Sequence, residues 1–312
     1  MIIKNSIVRL AKKVILTFII FSINAPIYAE DFSLPAPSNA LIGDVQYVST
    51  SHQGDTPTTL AQRYNLGLNA IVAANPGTTE TTQFPPDVYV KIPTAFLLPP
   101  LPRDGIVINL PEMRMYYYPK NGGRVMTFPI GIGKIGKTIP IENTFITRKK
   151  INPTWTPPKD IREFNEQQGI TLPKVMPAGP DNPLGPYAIY LRIPTFLIHS
   201  TIFPESIGRR ASFGCIRMNE SDIKQFFPLV EPGTPVAIVD MPAKVGWQGT
   251  ELFMQAYPPL EERSKEINVE NVVEAIENSL PRNGVTLVNW QLVSYLAEQP
   301  DGVPHEVGVR VN

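Results

Sequence analysis

The chain has a single cysteine, Cys215, and only three histidines, His52, His199 and His305. One cysteine excludes an intramolecular disulfide and a multi-cysteine zinc site. Three histidines far apart in sequence make a His-rich metal centre a poor expectation. An excess of one charge is missing too: 28 Lys and Arg balance 28 Asp and Glu, with no basic run in the body of the chain. The electrostatic footprint of a nucleic-acid binder is therefore lacking. Beyond the N-terminal segment no apolar run reaches the roughly 18 residues of a membrane span. Proline, by contrast, is abundant, with 34 in 312 residues, about twice average usage. It fixes φ and removes a donor, so an all-helical bundle is excluded and loops, turns and edge strands must be frequent. With 43% apolar and 18% charged residues the chain can bury a sizeable core. Its length suits about two domains.

Residues 1–29 read as a secretory signal peptide. Lys4, Arg9, Lys12 and Lys13 precede the apolar run Val14 to Ile23, and Ala29 offers a small residue at the cut before Glu30-Asp31. No cysteine follows the run, so a lipoprotein anchor is not expected. Removal leaves 24 basic against 28 acidic residues, net −4. The expectation is an exported protein with no integral membrane segment after cleavage, carrying one thiol into an oxidising compartment.

Residues 30–43 hold two prolines and small polar residues and read as a linker. Over 44–94 the order predicted is strand, helix, helix, strand, with Thr56 capping the first helix and Asn75-Pro76-Gly77 ending the second. The residues Tyr47-Val48, Gly54-Asp55-Thr56, Leu60 to Tyr64, Ile71 to Pro76 and Ile92-Pro93 resemble a LysM module. That resemblance implies binding to glycan strands of peptidoglycan, with Gly54, Asp55, Thr56, Asn75 and Pro76 as candidate glycan-binding residues. A mainly β domain is predicted over 103–241, with Asn121-Gly122-Gly123 as a hairpin turn. One short helix follows near Asp222 to Phe227. The long proline-rich loop from Ile151 to Gly185 is a candidate binding segment. Residues 247–312 show helical periodicity, with one helix expected over about Leu287 to Glu298, and read as a buttress on the β domain.

The residues that carry chemistry are Ile198-His199-Ser200-Thr201 and Ser212-Phe213-Gly214-Cys215-Ile216-Arg217-Met218. A cysteine attacks as its thiolate and needs a base or a cation nearby. His199 ends an apolar strand sixteen residues before Cys215, room enough to loop out and return beside it. Gly214 permits a tight path, and the amides of Gly214 and Cys215 are candidate oxyanion donors. In an extended segment Arg217 faces the same side as Cys215 and suits a carboxylate. From spacing alone two readings stay open: a nucleophile with its base, or a buried cysteine near a structural histidine.

These stretches are similar to the active-site signature of the YkuD-type L,D-transpeptidases. Gly131-Ile132-Gly133, Thr138-Ile139-Pro140, Asn152 to Pro158 and Asn182-Pro183-Leu184-Gly185 extend the likeness. The resemblance implies a β-sandwich or barrel and a periplasmic enzyme needing no metal or organic cofactor. It also implies a Cys215 thioester with a peptidoglycan tetrapeptide stem, releasing D-alanine. His199 would be the base, with the Ser200 carbonyl orienting it; Ser212, Arg217 and Tyr187 are candidate substrate-site residues. The acceptor is then an amine: a lysine of an outer-membrane protein, giving a tether and favoured by the domain arrangement, or a second stem, giving a three-to-three cross-link. Hydrolysis by the same thioester, as a carboxypeptidase or wall-protein-detaching amidase, is the alternative reaction. A purely glycan-binding wall protein is the alternative class. One position departs from the family pattern: Phe213 stands where a histidine is usual.

Overall fold

The computed structural model describes residues 30–50, 54–263, 267–281 and 285–311. The signal-peptide expectation for residues 1–29 lies outside them. None of the described helices is long and apolar enough to cross a membrane.

A ten-stranded sheet forms the central body. Eight strands pair in a ring: Arg124–Gly133, Ile216–Met218, Leu197–Ser200, Tyr187–Leu191, Asn143–Ile151, Pro235–Val239, Gly105–Asn109 and Arg114–Tyr118, the last pairing back to the first. Two long strands make this closure possible. The first half of Arg124–Gly133 pairs with Arg114–Tyr118 and its second half with Ile216–Met218. Asn143–Ile151 likewise divides its length between Pro235–Val239 and Tyr187–Leu191. The barrel is filled by Ile108, Phe128, Ile130, Ile189, Ile198, Ile216, Met218 and Phe226, all buried. The expected Asn121-Gly122-Gly123 turn joins two antiparallel strands, with Gly122 and Gly123 at φ +66° and +77°, where glycine is favoured.

Residues 30–43 are not a linker. Glu30–Ser33 adds an antiparallel strand to Arg124–Thr127, and Leu41–Gly43 pairs with Ala95–Leu97. Composition hid this because the partners are remote. Asp31 meets the Arg124 guanidinium, Glu30 lies 3.4 Å from Arg114, and Phe32 packs on the second core.

Between residues 46 and 92 the chain runs strand Gln46–Ser49, helix Pro57–Arg63, helix Leu68–Ala74 and strand Tyr89–Ile92, the two strands antiparallel. Thr56 caps the first helix in a reciprocal box with Thr59. This unit is not a bead on a string. Leu60, Ile71 and Ile92 share a core with Val107, Tyr116 and Val125 of the barrel. Asn65 Nδ2 donates to Asp222 at 3.0 Å across the same seam.

The C-terminal part is mixed rather than helical. Ala243–Gln248, Glu251–Ala256, His305–Val311 and Val285–Val288 form an antiparallel four-stranded sheet, packed by helices Val269–Ser279 and Trp290–Glu298. The strands were disguised by alternation: Leu252, Met254 and Ala256 are buried at a period of two, which a helical reading overlooks. Two contacts join this part to the barrel. A fully buried Lys244–Glu112 pair at 2.8 Å links this sheet to the barrel. Glu262 accepts from the two terminal nitrogens of Arg210, at 2.6 and 2.7 Å, next to the strand that leads to Cys215.

Candidate active site

Two short parallel strands assemble the site. Leu197–Ser200 and Ile216–Met218 run side by side with His199 opposite Arg217. Their intervening residues, Ile198 and Ile216, face the barrel core, so His199 and Arg217 point to the outer face. Cys215 precedes Ile216, two residues before Arg217, and therefore opens on that same face. The sequence-predicted trio is brought together by strand parity and register.

His199 is 4% exposed, and its Nδ1 lies 2.5 Å from the Ser200 carbonyl oxygen. A carbonyl only accepts, so Nδ1 carries the proton and Nε2 is left as the base. Burial, and next the Arg217 charge, lower the imidazole pKa to about 4, against the opposing pull of the Ser200 and Leu184 backbone. The imidazole is thus neutral at ordinary pH. Ser200 serves through its carbonyl, while its hydroxyl donates to the Leu184 carbonyl at 2.9 Å and accepts from the Tyr187 amide at 3.1 Å.

Cys215 is partly exposed as a residue, yet its sulfur is closely surrounded. Burial pushes the thiol up to about 11, opposed by the Leu197 N–H and the Arg217 cation. The Sγ donates to the Thr195 carbonyl at 3.6 Å. At rest the two groups are therefore a neutral thiol and a neutral imidazole. Arg217 is half-buried, and its Nε is buried without a partner.

Gly214 sits at φ +110°, where a Cβ would come within 2.5 Å of Phe196 and 2.9 Å of the Lys137 carbonyl. Glycine is required there on both counts. Its amide, however, donates to Ser212 Oγ at 3.0 Å, and the Ser212 hydroxyl donates to the Cys215 carbonyl at 2.6 Å. The expected oxyanion role for the Gly214 amide is corrected by this turn: that N–H is already committed. Ser212 shapes the cysteine loop. Tyr187 is displaced from the expected site as well. Ala188, not Tyr187, is the register partner of His199, so the Tyr187 ring takes the other face and packs on Phe227 at 5.2 Å.

Other residues escaped sequence reading. The long 152–186 segment carries a helix, Lys159–Gln167, with no buried residue. It docks beside the cysteine loop through Phe164, whose ring lies 5.3 Å from that of Phe213. Lys134 Nζ stands 3.8 Å from both rings, and Lys137 pairs with Asp160 at 2.8 Å. Phe213 therefore anchors this helix. The module residues are also placed. Asp55 is buried and paired with Arg63, Thr56 is spent on its cap, and Asn75 bonds the Ile71 carbonyl and both backbone groups of Lys91. Gly54 and Pro76 are exposed.

Residues 103–238 match the YkuD family, described as the L,D-transpeptidase catalytic domain. The chain is 40% identical over 258 residues to the probable L,D-transpeptidase YcfS of Escherichia coli, covering 80% of each chain. It is 37% identical over 249 residues to the probable L,D-transpeptidase YbiS of the same organism, covering 78% of this chain and 80% of that one. To the probable L,D-transpeptidase ErfK/SrfK of Escherichia coli it is 40% identical over 226 residues, covering 69% and 70%. With identity and coverage at this level, and with Cys215, His199 and Arg217 assembled on one sheet face, the chain belongs to the L,D-transpeptidase family.

Proposed function

We propose that the protein exchanges an amide bond in peptidoglycan stems, with Cys215 as nucleophile and His199 as base. The register pair of His199 and Arg217, with Cys215 two residues upstream, is the observation that carries this reading. The thiol attacks the carbonyl carbon of the third stem residue as His199 Nε2 takes its proton. The tetrahedral intermediate collapses, the C–N bond breaks, and the imidazolium returns the proton to the departing D-alanine amine. An acceptor amine then attacks the thioester, His199 takes a proton from that amine, and Cys215 leaves as a thiol. The Cys215 amide is the remaining candidate donor to the oxyanion, and Arg217 holds a substrate carboxylate with its unpartnered guanidinium edge.

The setting we infer is the periplasm, reached by a cleaved signal peptide. The strand–helix–helix–strand unit acts as a LysM module, supported by its element order and by the exposure of Gly54 and Pro76. Asp55, Thr56 and Asn75 serve that surface by shaping its loops. An outer-membrane protein lysine is the acceptor favoured, with a second stem as the competing amine. The test is incubation with tetrapeptide stems, with and without an acceptor amine, read by mass spectrometry. Cys215→Ala abolishes turnover, and His199→Ala lowers the rate by about 10²–10⁴-fold. Turnover retained by purified Cys215→Ala would overturn the mechanism.

A further inference from the structure

The turn that follows the strand Glu251–Ala256 is planted in the barrel. Leu260 is buried within the barrel core, and the Arg263 amide closes the turn on the Leu260 carbonyl at 2.9 Å. Glu262 is thereby carried to the wall of the active site. Its carboxylate accepts there from Arg210 Nη1 and Nη2, at 2.7 and 2.6 Å, and from the Thr138 hydroxyl. The Arg210 and Glu262 side chains are only 15% and 22% exposed, so this ion pair is largely withdrawn from water. Two-pronged pairing with a guanidinium fixes angle as well as distance. The bonds from Arg210 hold the Glu262 carboxyl down at about 2, so it stays charged at neutral pH.

Arg210 also reaches the cysteine loop. Its Nε donates to the Gly133 carbonyl at 3.2 Å, and its Nη2 to Thr138 Oγ1 at 3.4 Å. Gly133 and Thr138 bracket a turn over residues 134–137, closed by the Lys137 amide on the Lys134 carbonyl at 2.9 Å. That turn backs the cysteine loop. The Lys134 amide donates to the Ser212 carbonyl at 3.0 Å. A Cβ on Gly214 would meet the Lys137 carbonyl at 2.9 Å, and one on Gly133 would come within 3.0 Å of the Gly214 Cα. Glu262, Arg210, Gly133 and Gly214 thus stand in line, backbone against backbone at the end, and Cys215 comes next in the chain. The neighbouring residue gives a contrast. Arg209 pairs with Glu80 of the strand–helix–helix–strand unit, but that pair is the more exposed of the two, and exposed pairs contribute little.

We propose that Glu262 is a positioning residue for acyl transfer: through Arg210 it sets the turn at 134–137, and with it the angle at which the Cys215 amide meets the developing oxyanion. This rests on the transfer reaction proposed above, with the Cys215 amide as oxyanion donor. Such a donor acts on the transition state and not on the bound stem, so misplacing it lowers kcat and leaves KM in place. Alkylation of the thiol develops no oxyanion. Two reactions of the same sulfur therefore separate a donor set off angle from a site that has come apart. The C-terminal part of the chain then completes the catalytic centre, besides bracing the barrel.

The experiment compares the native protein with Glu262→Ala, Glu262→Gln and Arg210→Lys, with Glu80→Ala as the control. Each is read by kcat and KM for D-alanine release from a tetrapeptide stem, and by iodoacetamide alkylation across pH. Glu262→Ala lowers kcat by about 10–100-fold, short of the roughly 10²–10³-fold of removing a donor outright, with KM unchanged. Glu262→Gln keeps the shape, loses the charge and falls between. Arg210→Lys falls as far as Glu262→Ala, because a point charge cannot hold Glu262, Thr138 and Gly133 together. All three keep the native alkylation profile, and Glu80→Ala is native in both readouts. Native kcat in Glu262→Ala would overturn the proposal. So would a raised KM at native kcat, alkylation lost in step with turnover in both Glu262 variants, or an equal fall in Glu80→Ala. No release of D-alanine by the native protein would overturn the transfer reading itself, and this inference with it.

Discussion

At the residue scale the site rests on a neutral thiol beside a neutral imidazole. Burial holds His199 down at about 4 and Cys215 up at about 11. The thiolate becomes populated only as pH climbs toward the thiol value, so the iodoacetamide alkylation rate should rise steadily from pH 7 and approach its midpoint near 11. Arg217 lowers the thiol value, so Arg217→Met should shift the profile further up. A midpoint near 7 would mean a preformed thiolate–imidazolium pair. Much of the site was legible here, because few residue types suit this chemistry and the chain has one cysteine and one histidine in its β domain. Two assignments were not. Which way the Gly214 amide points is decided by the Ser212 hydroxyl. The Tyr187 face is decided by a one-residue register choice that gives Ala188 to His199.

At the element scale the helix Lys159–Gln167 is amphipathic yet buries no residue, and it sits behind Pro157-Pro158 in a proline-rich stretch that read as loop. What holds it is local: the Phe164 and Phe213 rings with Lys134 between them, and the Lys137–Asp160 pair. An aromatic pair contributes about 0.5–1.5 kcal/mol and an exposed cation–π contact about 0.5–1 kcal/mol. Phe213→Ala removes both contacts with the cysteine loop. Amide exchange over 159–167 should then quicken by about 5–30-fold, the effect of roughly 1–2 kcal/mol on local opening, with the strand Tyr187–Leu191 unaffected. Unchanged exchange in the helix would show that Phe213 is not its anchor. The position at which this chain departs from the usual histidine thus has a packing use that becomes visible only when residues 134, 164 and 213 meet.

At the scale of the whole molecule, two segments that read as separate, 30–43 and 44–94, are packed against the barrel. The strand at Glu30–Ser33 meets partners 84 and 93 residues away. Composition carries no signal for pairing at that range, so the segment resembled a linker. The barrel strands were legible because their apolar runs are bounded by turns. The C-terminal sheet was not, because its alternating strands are interleaved with two real helices. The unit at 44–94 shares Leu60, Ile71 and Ile92 with barrel residues Val107, Tyr116 and Val125. Deleting residues 44–94 should therefore expose these barrel side chains, at about 1.5–3 kcal/mol for each large one uncovered, and lower the Tm sharply. A truncated protein with native Tm and native turnover would show that the shared core contributes nothing to the catalytic unit.

Acyl transfer through Cys215 is the central proposal, and intact-protein mass spectrometry during turnover of a tetrapeptide stem tests it most directly. The predicted result is an adduct equal in mass to the stem less its terminal D-alanine, mapped to Cys215, formed slowly or not at all in His199→Ala and discharged by an added amine. Turnover with no covalent species at Cys215, or an adduct on another residue, would contradict it.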